Sequence, residues 1–197
     1  MTSLLEPNAE LYRYFHGFPD WGRVVSEQMV DTVRLDDVPE IINLDFLKID
    51  IQGGELMVFQ NARRLLAKCI VIQTEVEFLP LYHHQPLFSE VELFLRELGF
   101  TFHRFWPEPN SRVISPLLVN NNIYAGLSQI VAADAVFVRD FTKLDVLSSD
   151  QLLRMALIMH DVYGSFDLVL RALIEYDSRC KANTSKEYLN WLASGMK

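Results

Sequence analysis

The sequence predicts an α/β fold with a helical tail, and three stretches predict it. Leu44–Ile51 is a nearly continuous apolar run, broken only by Asp45, Lys48 and Asp50, and Gly53-Gly54 closes it. That is the pattern of a buried strand turning into a helix. Cys69–Glu77 (CIVIQTEVE) is a second run, apolar and β-branched at its start. Between the two, apolar residues recur at helical spacing, and two strands joined by a helix imply a right-handed parallel crossover. After residue 141 the pattern changes to capped helices alone.

Residues 1–28 show little periodicity and several aromatics, among them Tyr12, Phe15 and Trp21. They read as a loop with short helical turns packed over the domain. Met29–Leu35 reads as a short strand ending at Asp36-Asp37. Strand 44–51 leads into a helix over about 54–67, whose Val58, Ala62, Leu65 and Leu66 would lie on the sheet. After strand 69–77, Pro80 and Pro86 bracket a loop. Ser89 caps a helix with Val91, Phe94, Leu95 and Leu98 on one stripe, and Gly99 ends it. Strand 100–105 follows, then a long loop over 106–128. Strand 135–139 closes the sheet as the antiparallel partner of 100–105.

In the tail, Ser148-x-x-Gln151 is a capping box opening a helix to about Val162. Its face is expected to be Leu153, Ala156, Leu157 and His160. Ser165 opens a second helix with Phe166, Val169, Leu170, Leu173 and Ile174 on one face, and Thr184 a third. The chain therefore divides into residues 1–141 and a helical tail, 142–197.

Composition excludes several classes. The 197 residues carry 18 Lys and Arg against 26 Asp and Glu, a net charge of −8. That argues against nucleic acid or an anionic membrane as partner. No apolar run approaches the ~18 residues of a membrane span. The N-terminus lacks the basic start and apolar block of a signal peptide. Two cysteines, Cys69 and Cys180, make no disulfide framework, and a reducing, cytoplasmic compartment is expected.

Chemistry concentrates at the ends of the two central strands. Ligands of open α/β sheets bind outside the carboxyl ends of the strands. Asp50 sits at such an end, beside a glycine turn. Glu75 and Glu77 are two apart on a strand and share a face with Gln73. Glu55 in a helix's first turn suits the helix dipole. His83-His84 has no Cys or carboxylate at ligand spacing, so no metal site is read there, and a lid near a substrate is the expected role. His103 and His160 read as core histidines.

Taken together in order, FLKIDIQGGE, IVIQTEVEF, LPLYHHQPLF, SEVELFLRELGF and DAVFVRD resemble the FkbM family of S-adenosylmethionine-dependent O-methyltransferases, over roughly residues 3–140. The resemblance implies a partial Rossmann-like class I methyltransferase sheet missing its first strands, in a truncated chain. It implies O-methyl transfer to a hydroxyl of a sugar, glycan or secondary metabolite. Asp50 and Glu75 would be catalytic, and Asp50, Gln52 and Asp36 would face the cofactor, S-adenosylmethionine. Glu77, Tyr82, His83 and His84 would line the acceptor. The chain departs from the family pattern in having no G-x-G. The flank of strand 44–51 would then be an open edge, and a complementary N-terminal half or a second copy would be the partner. The alternative is an inactive remnant or interaction module whose tail binds a partner.

Overall fold

The computed structural model describes residues 2–195. It is a mixed α/β structure in which a sheet is covered on both faces. The strands are β1 (Phe46–Ile49), β2 (Val71–Glu77), β3 (Phe100–Phe105), β4 (Asn110–Arg112) and β5 (Gln129–Arg139). Their order is β1-β2-β5-β3, with β4 also on β5. β1 and β2 are parallel, as their connecting helices predict. β5 is antiparallel to both β2 and β3. It is therefore an interior strand of eleven residues, not the five-residue closing strand expected from sequence.

The helices are α1 (Ala9–Tyr12), α2 (Phe18–Trp21), α3 (Glu55–Gln60), α4 (Arg63–Leu66), α5 (Phe88–Glu97), α6 (Ser149–Asp161), α7 (Phe166–Cys180) and α8 (Thr184–Ala193). The expected helix over 54–67 is two pieces, α3 and α4. Asn61 and Ala62 leave the helical region between them, and the Asn61 amide donates back to the Met57 carbonyl at 2.9 Å.

The strand expected at 29–35 does not form. Residues 22–34 are irregular, and a 3₁₀ turn follows at Leu35–Asp37. Val25, Met29, Val30 and Val33 are all exposed. β-branched residues favour strands only where a neighbouring strand and a covered face receive them. Among the described residues, β1 consequently has no partner on its outer flank.

The pleat divides the core in two. Ile72 and Val76 of β2, with Ala133, Ala135 and Phe137 of β5, pack against Phe59, Leu66, Val91 and Leu95 of the crossover side. Val71, Val136 and Val138 face the other way, against Leu152, Met155 and Met159 of α6 and Val169, Ala172 and Leu173 of α7. The tail thus forms one of the two layers over the sheet. The capping box of α6 is present, with Ser148 and Gln151 exchanging hydrogen bonds at 3.0 and 3.2 Å. Its buried face is Leu152, Met155, Ala156 and Met159, whereas Leu153 and Leu157 are exposed. Both choices place apolar residues at helical spacing, and the sheet selects between them. Near the carboxyl end of β2, Tyr12, Phe15 and Phe18 pack with Val131 in a third, smaller cluster. Cys69 is buried and burial pushes its thiol up to about 12, as befits a core hydrophobe.

The two candidate faces of α6 give opposite mutational outcomes. Met155→Ala should cost about 2–5 kcal/mol, the scale of a buried truncation. Leu157→Ala should cost less than about 0.5 kcal/mol. Urea denaturation of the two variants decides it, and equal costs would contradict the layer assignment.

Candidate active site

The carboxyl ends of β1 and β2 meet at Gln52. This residue adopts the left-handed conformation at φ 59°, as does Gly53 at φ 99°. For a non-glycine residue that is uncommon and marks local constraint. It turns the Gln52 side chain into the space between the strand ends. Gln52 Nε2 donates to Asp50 Oδ1 at 3.0 Å and to Glu75 Oε2 at 2.6 Å. Gln52 Oε1 accepts from the Tyr82 hydroxyl at 3.1 Å. Its backbone carbonyl accepts from Ser3 Oγ at 2.7 Å, which ties the N-terminal segment to the turn. One amide therefore joins Asp50, Glu75 and Tyr82, from β1, β2 and the following loop.

Glu55 completes the turn from beneath. It is buried, and its two oxygens accept from the Ile51 and Gly53 backbone N–H groups at 2.7 and 2.9 Å. Those bonds answer donors of the turn that leads into α3. Asp50, Glu55 and Glu75 each bring one oxygen within 4.8 Å of the others. That spacing suits a divalent cation, although Glu55 already spends both oxygens on the backbone. Sequence spacing does not disclose the grouping, because the three lie on separate elements.

The electrostatics follow from crowding. Glu75 is pushed up to about 9, chiefly by burial, then by the charges of Glu77 and Asp50. Glu77 is pushed up to about 8 by burial and by Glu55. Burial also raises Glu55, against the pull of its backbone hydrogen bonds. Burial and mutual repulsion both favour the protonated forms of these carboxyls. Lys48, the nearest basic residue on β1, is paired instead with Asp134 at 3.1 Å.

Of the other expected site residues, Glu77 is buried and Tyr82 is 3% exposed. His83 and His84 are exposed on the loop after β2, where the His83 backbone N–H donates to the Glu6 carbonyl at 2.8 Å. Asp36 stands apart. Its carboxylate accepts from the Arg64 and Leu65 N–H groups at 2.8 and 3.0 Å and so caps α4. Gln73 points to the tail, accepting from the Tyr163 hydroxyl at 2.8 Å and donating to Asp134 at 2.6 Å. His103 and His160 hold Ser165 Oγ and the Tyr188 hydroxyl, each at 2.8 Å. Gln85 is a residue that sequence reading passed over. It is buried, its Oε1 accepts from the Tyr82 N–H at 3.1 Å, and its Nε2 has no hydrogen-bond partner among the described residues. A Cβ at Gly53 would lie 2.9 Å from that nitrogen. An amide in a loop bracketed by two prolines was the available signal.

A carboxylate group at the strand ends of an α/β sheet, on a glycine turn, stands where ligands of open α/β sheets bind. The model of the methyltransferase FkbM domain matches residues 4–102, half of the chain, and the protein belongs to that family. No curated protein and no solved structure matches it. No helix among the described residues is long and apolar enough to cross a membrane.

The raised carboxyls make stability depend on pH. Folded Glu75 and Glu77 keep protons that the unfolded chain releases above about 4.5. Their favourable contribution is full below that value and is lost as pH rises toward 8 to 9. The melting temperature should therefore fall across that window. Glu75→Gln combined with Glu77→Gln should flatten the fall and raise the melting temperature at pH ~8. A wild-type slope left intact in the double variant would show that other groups carry it.

Proposed function

We propose that the chain is the acceptor-side half of an S-adenosylmethionine-dependent O-methyltransferase acting on a hydroxyl of a sugar, glycan or secondary metabolite. The observation that carries this reading, beside family membership, is the Gln52-centred group of carboxylates at the ends of two parallel strands. Methyl transfer to a hydroxyl requires the acceptor oxygen to be aligned and its proton to leave. Asp50, exposed at the mouth of the group, takes that proton. Glu75, raised to about 9, is a carboxylic acid at neutral pH and donates a hydrogen bond instead. Gln52 fixes the separation of the two. Glu77 and Tyr82 back them, and His83 and His84 form the exposed wall on the acceptor side.

The methyl donor of the family supplies the electrophilic methyl group when bound. The residues described here fit it only in part. Carboxylates suit its cationic sulfonium and amino groups, but its own carboxylate meets no cation in the group. The Gly53 N–H that a glycine turn would offer is held by Glu55. Asp36 spends its oxygens on α4. We therefore assign the rest of the donor site to a complementary N-terminal half, or a second copy, lying along the free flank of β1. The sheet would then be the second part of a Rossmann-like methyltransferase sheet. The parallel order of β1 and β2, with the site at their carboxyl ends, supports that reading. The same incomplete donor set favours the second reading, an inactive remnant that serves as an interaction module.

Calorimetry of the chain alone with S-adenosylmethionine should give no saturable heat. With the complementary half restored, Asp50→Asn should lower turnover about 100-fold, the scale of lost acid–base help. Its stability should change by less than about 1 kcal/mol. Saturable binding by the chain alone would overturn the divided donor site. Unchanged turnover in Asp50→Asn would remove Asp50 from the chemistry, and no turnover in any assembly would leave the interaction module.

A further inference from the structure

The end of the sheet opposite the carboxylates holds a cavity of about 530 Å³. That lies within the ~300–1,000 Å³ of small-molecule clefts. It forms where the turn into β2, the α5–β3 turn and the chain between β5 and α6 converge. Lys68, Arg96 and Lys143 line it, against Asp140 as the lining acid. In a chain of net charge −8 this is a local reversal of sign.

The partners of the three cations are surface ones, and surface pairs of this kind are weak. Arg96 and Lys143 have side chains 61% and 75% exposed, with partners only within their own segments, Glu92 at 3.1 Å and Asp140 at 3.4 Å. Lys68 Nζ reaches a neutral group, Asn43 Oδ1, at 3.2 Å. Asp140 is occupied by the Thr142 N–H and hydroxyl at 3.0 and 2.6 Å. A fourth cation, Arg139, is buried and spends its nitrogens on the carbonyls of Cys69, Leu98 and Leu66. It adds a fixed positive charge beneath the cavity but takes no ligand itself. Half-buried Leu98 and exposed Val146 give it an apolar wall, with Thr101 and Gln151 beside them and the buried Phe100 and Leu147 behind.

Cations beside an apolar wall, in a partly open cleft, select an anion that also carries an apolar body. A polyanion would need a broader basic surface than this acidic chain offers. We infer that the cavity binds an amphipathic organic anion of small-molecule size. Its phosphate or carboxylate rests on Lys68, Arg96 and Lys143 through charge-assisted hydrogen bonds. Its ring or chain lies on Leu98 and Val146. The site is separate from the carboxylate group and independent of the methyl-transfer reading. The tail helps build it, since Leu147 and Gln151 line it and the Gln151 amide donates to the Lys68 carbonyl at 3.0 Å.

The test is calorimetry of the 197-residue chain with 1-naphthyl phosphate, and with inorganic phosphate and 1-naphthol as its two halves. The ester should bind saturably, at least about tenfold tighter than either half, and more weakly as salt is raised. Arg96→Glu with Lys143→Glu should weaken it at least about tenfold. Lys68→Gln should weaken it as well, which keeps the test intact where the double variant fails to fold. Lys186→Glu, on exposed α8, should leave it unchanged. Absence of saturable heat, equal binding of inorganic phosphate, or full affinity in the Lys68 and Arg96/Lys143 variants would each overturn the inference.

Discussion

The guanidinium of Arg139 is the constraint on which the rest of the fold hangs. Helices α4 and α5 both end near the start of β2 and β3, and each leaves carbonyls without intrahelical partners. Arg139, at the last position of β5, donates to Leu66 at the end of α4, to Leu98 after α5 and to Cys69 before β2. Its plane lies over the Phe100 ring at 4.1 Å. A buried cation is tolerable only when its donors are answered, and here three carbonyls answer them. One side chain thereby fixes two helix ends and two strand starts. The β1–β2 crossover and the placement of the β2 carboxyl end follow from it.

The consequence is a sheet with opposite charge at its two ends. Cations gather where the parallel strands begin, and carboxylates gather where they finish. The carboxylate end is the costlier of the two, because Glu55, Glu75 and Glu77 are withdrawn from water without a cation beside them. The fold accepts a local loss of stability there. Clusters of perturbed acids are more often found where chemistry occurs than where structure alone is at stake.

Much of this was legible in the sequence. Strands β1 and β2 announce themselves as apolar runs, the parallel crossover follows from the helix between them, and the Asp50–Gly54 turn is visible in its two glycines. What was not legible depended on partners distant in sequence. Residues 129–134 join β5 only because β2 and β4 pair with them, and Asp134 within that span hides the strand. Residues 29–35 have strand composition but no strand to receive them. Leu153 and Leu157 suit a helix face as well as Leu152 and Met155 do, until the sheet chooses. Asp36 appeared to belong with Asp50, yet the open N-terminus of α4 claims it. Gln52 was placed in the site from the family motif. Its role as the joint between Asp50, Glu75 and Tyr82 required the left-handed turn, which no composition reveals.

The free flank of β1 ties these points together. A four-residue strand with one unpaired side is a weak edge, and edges recruit further strands. Upstream lie Val24, Val25, Met29, Val30 and Val33, all largely exposed. Burying even a few such side chains would contribute about 1.5–3 kcal/mol each. The chain therefore holds unspent capacity for association. Asp50 and Gln52 directly follow β1, so a strand added on its outer flank would extend the sheet beside the carboxylate group. Any group it carried at its own end would come into line with them.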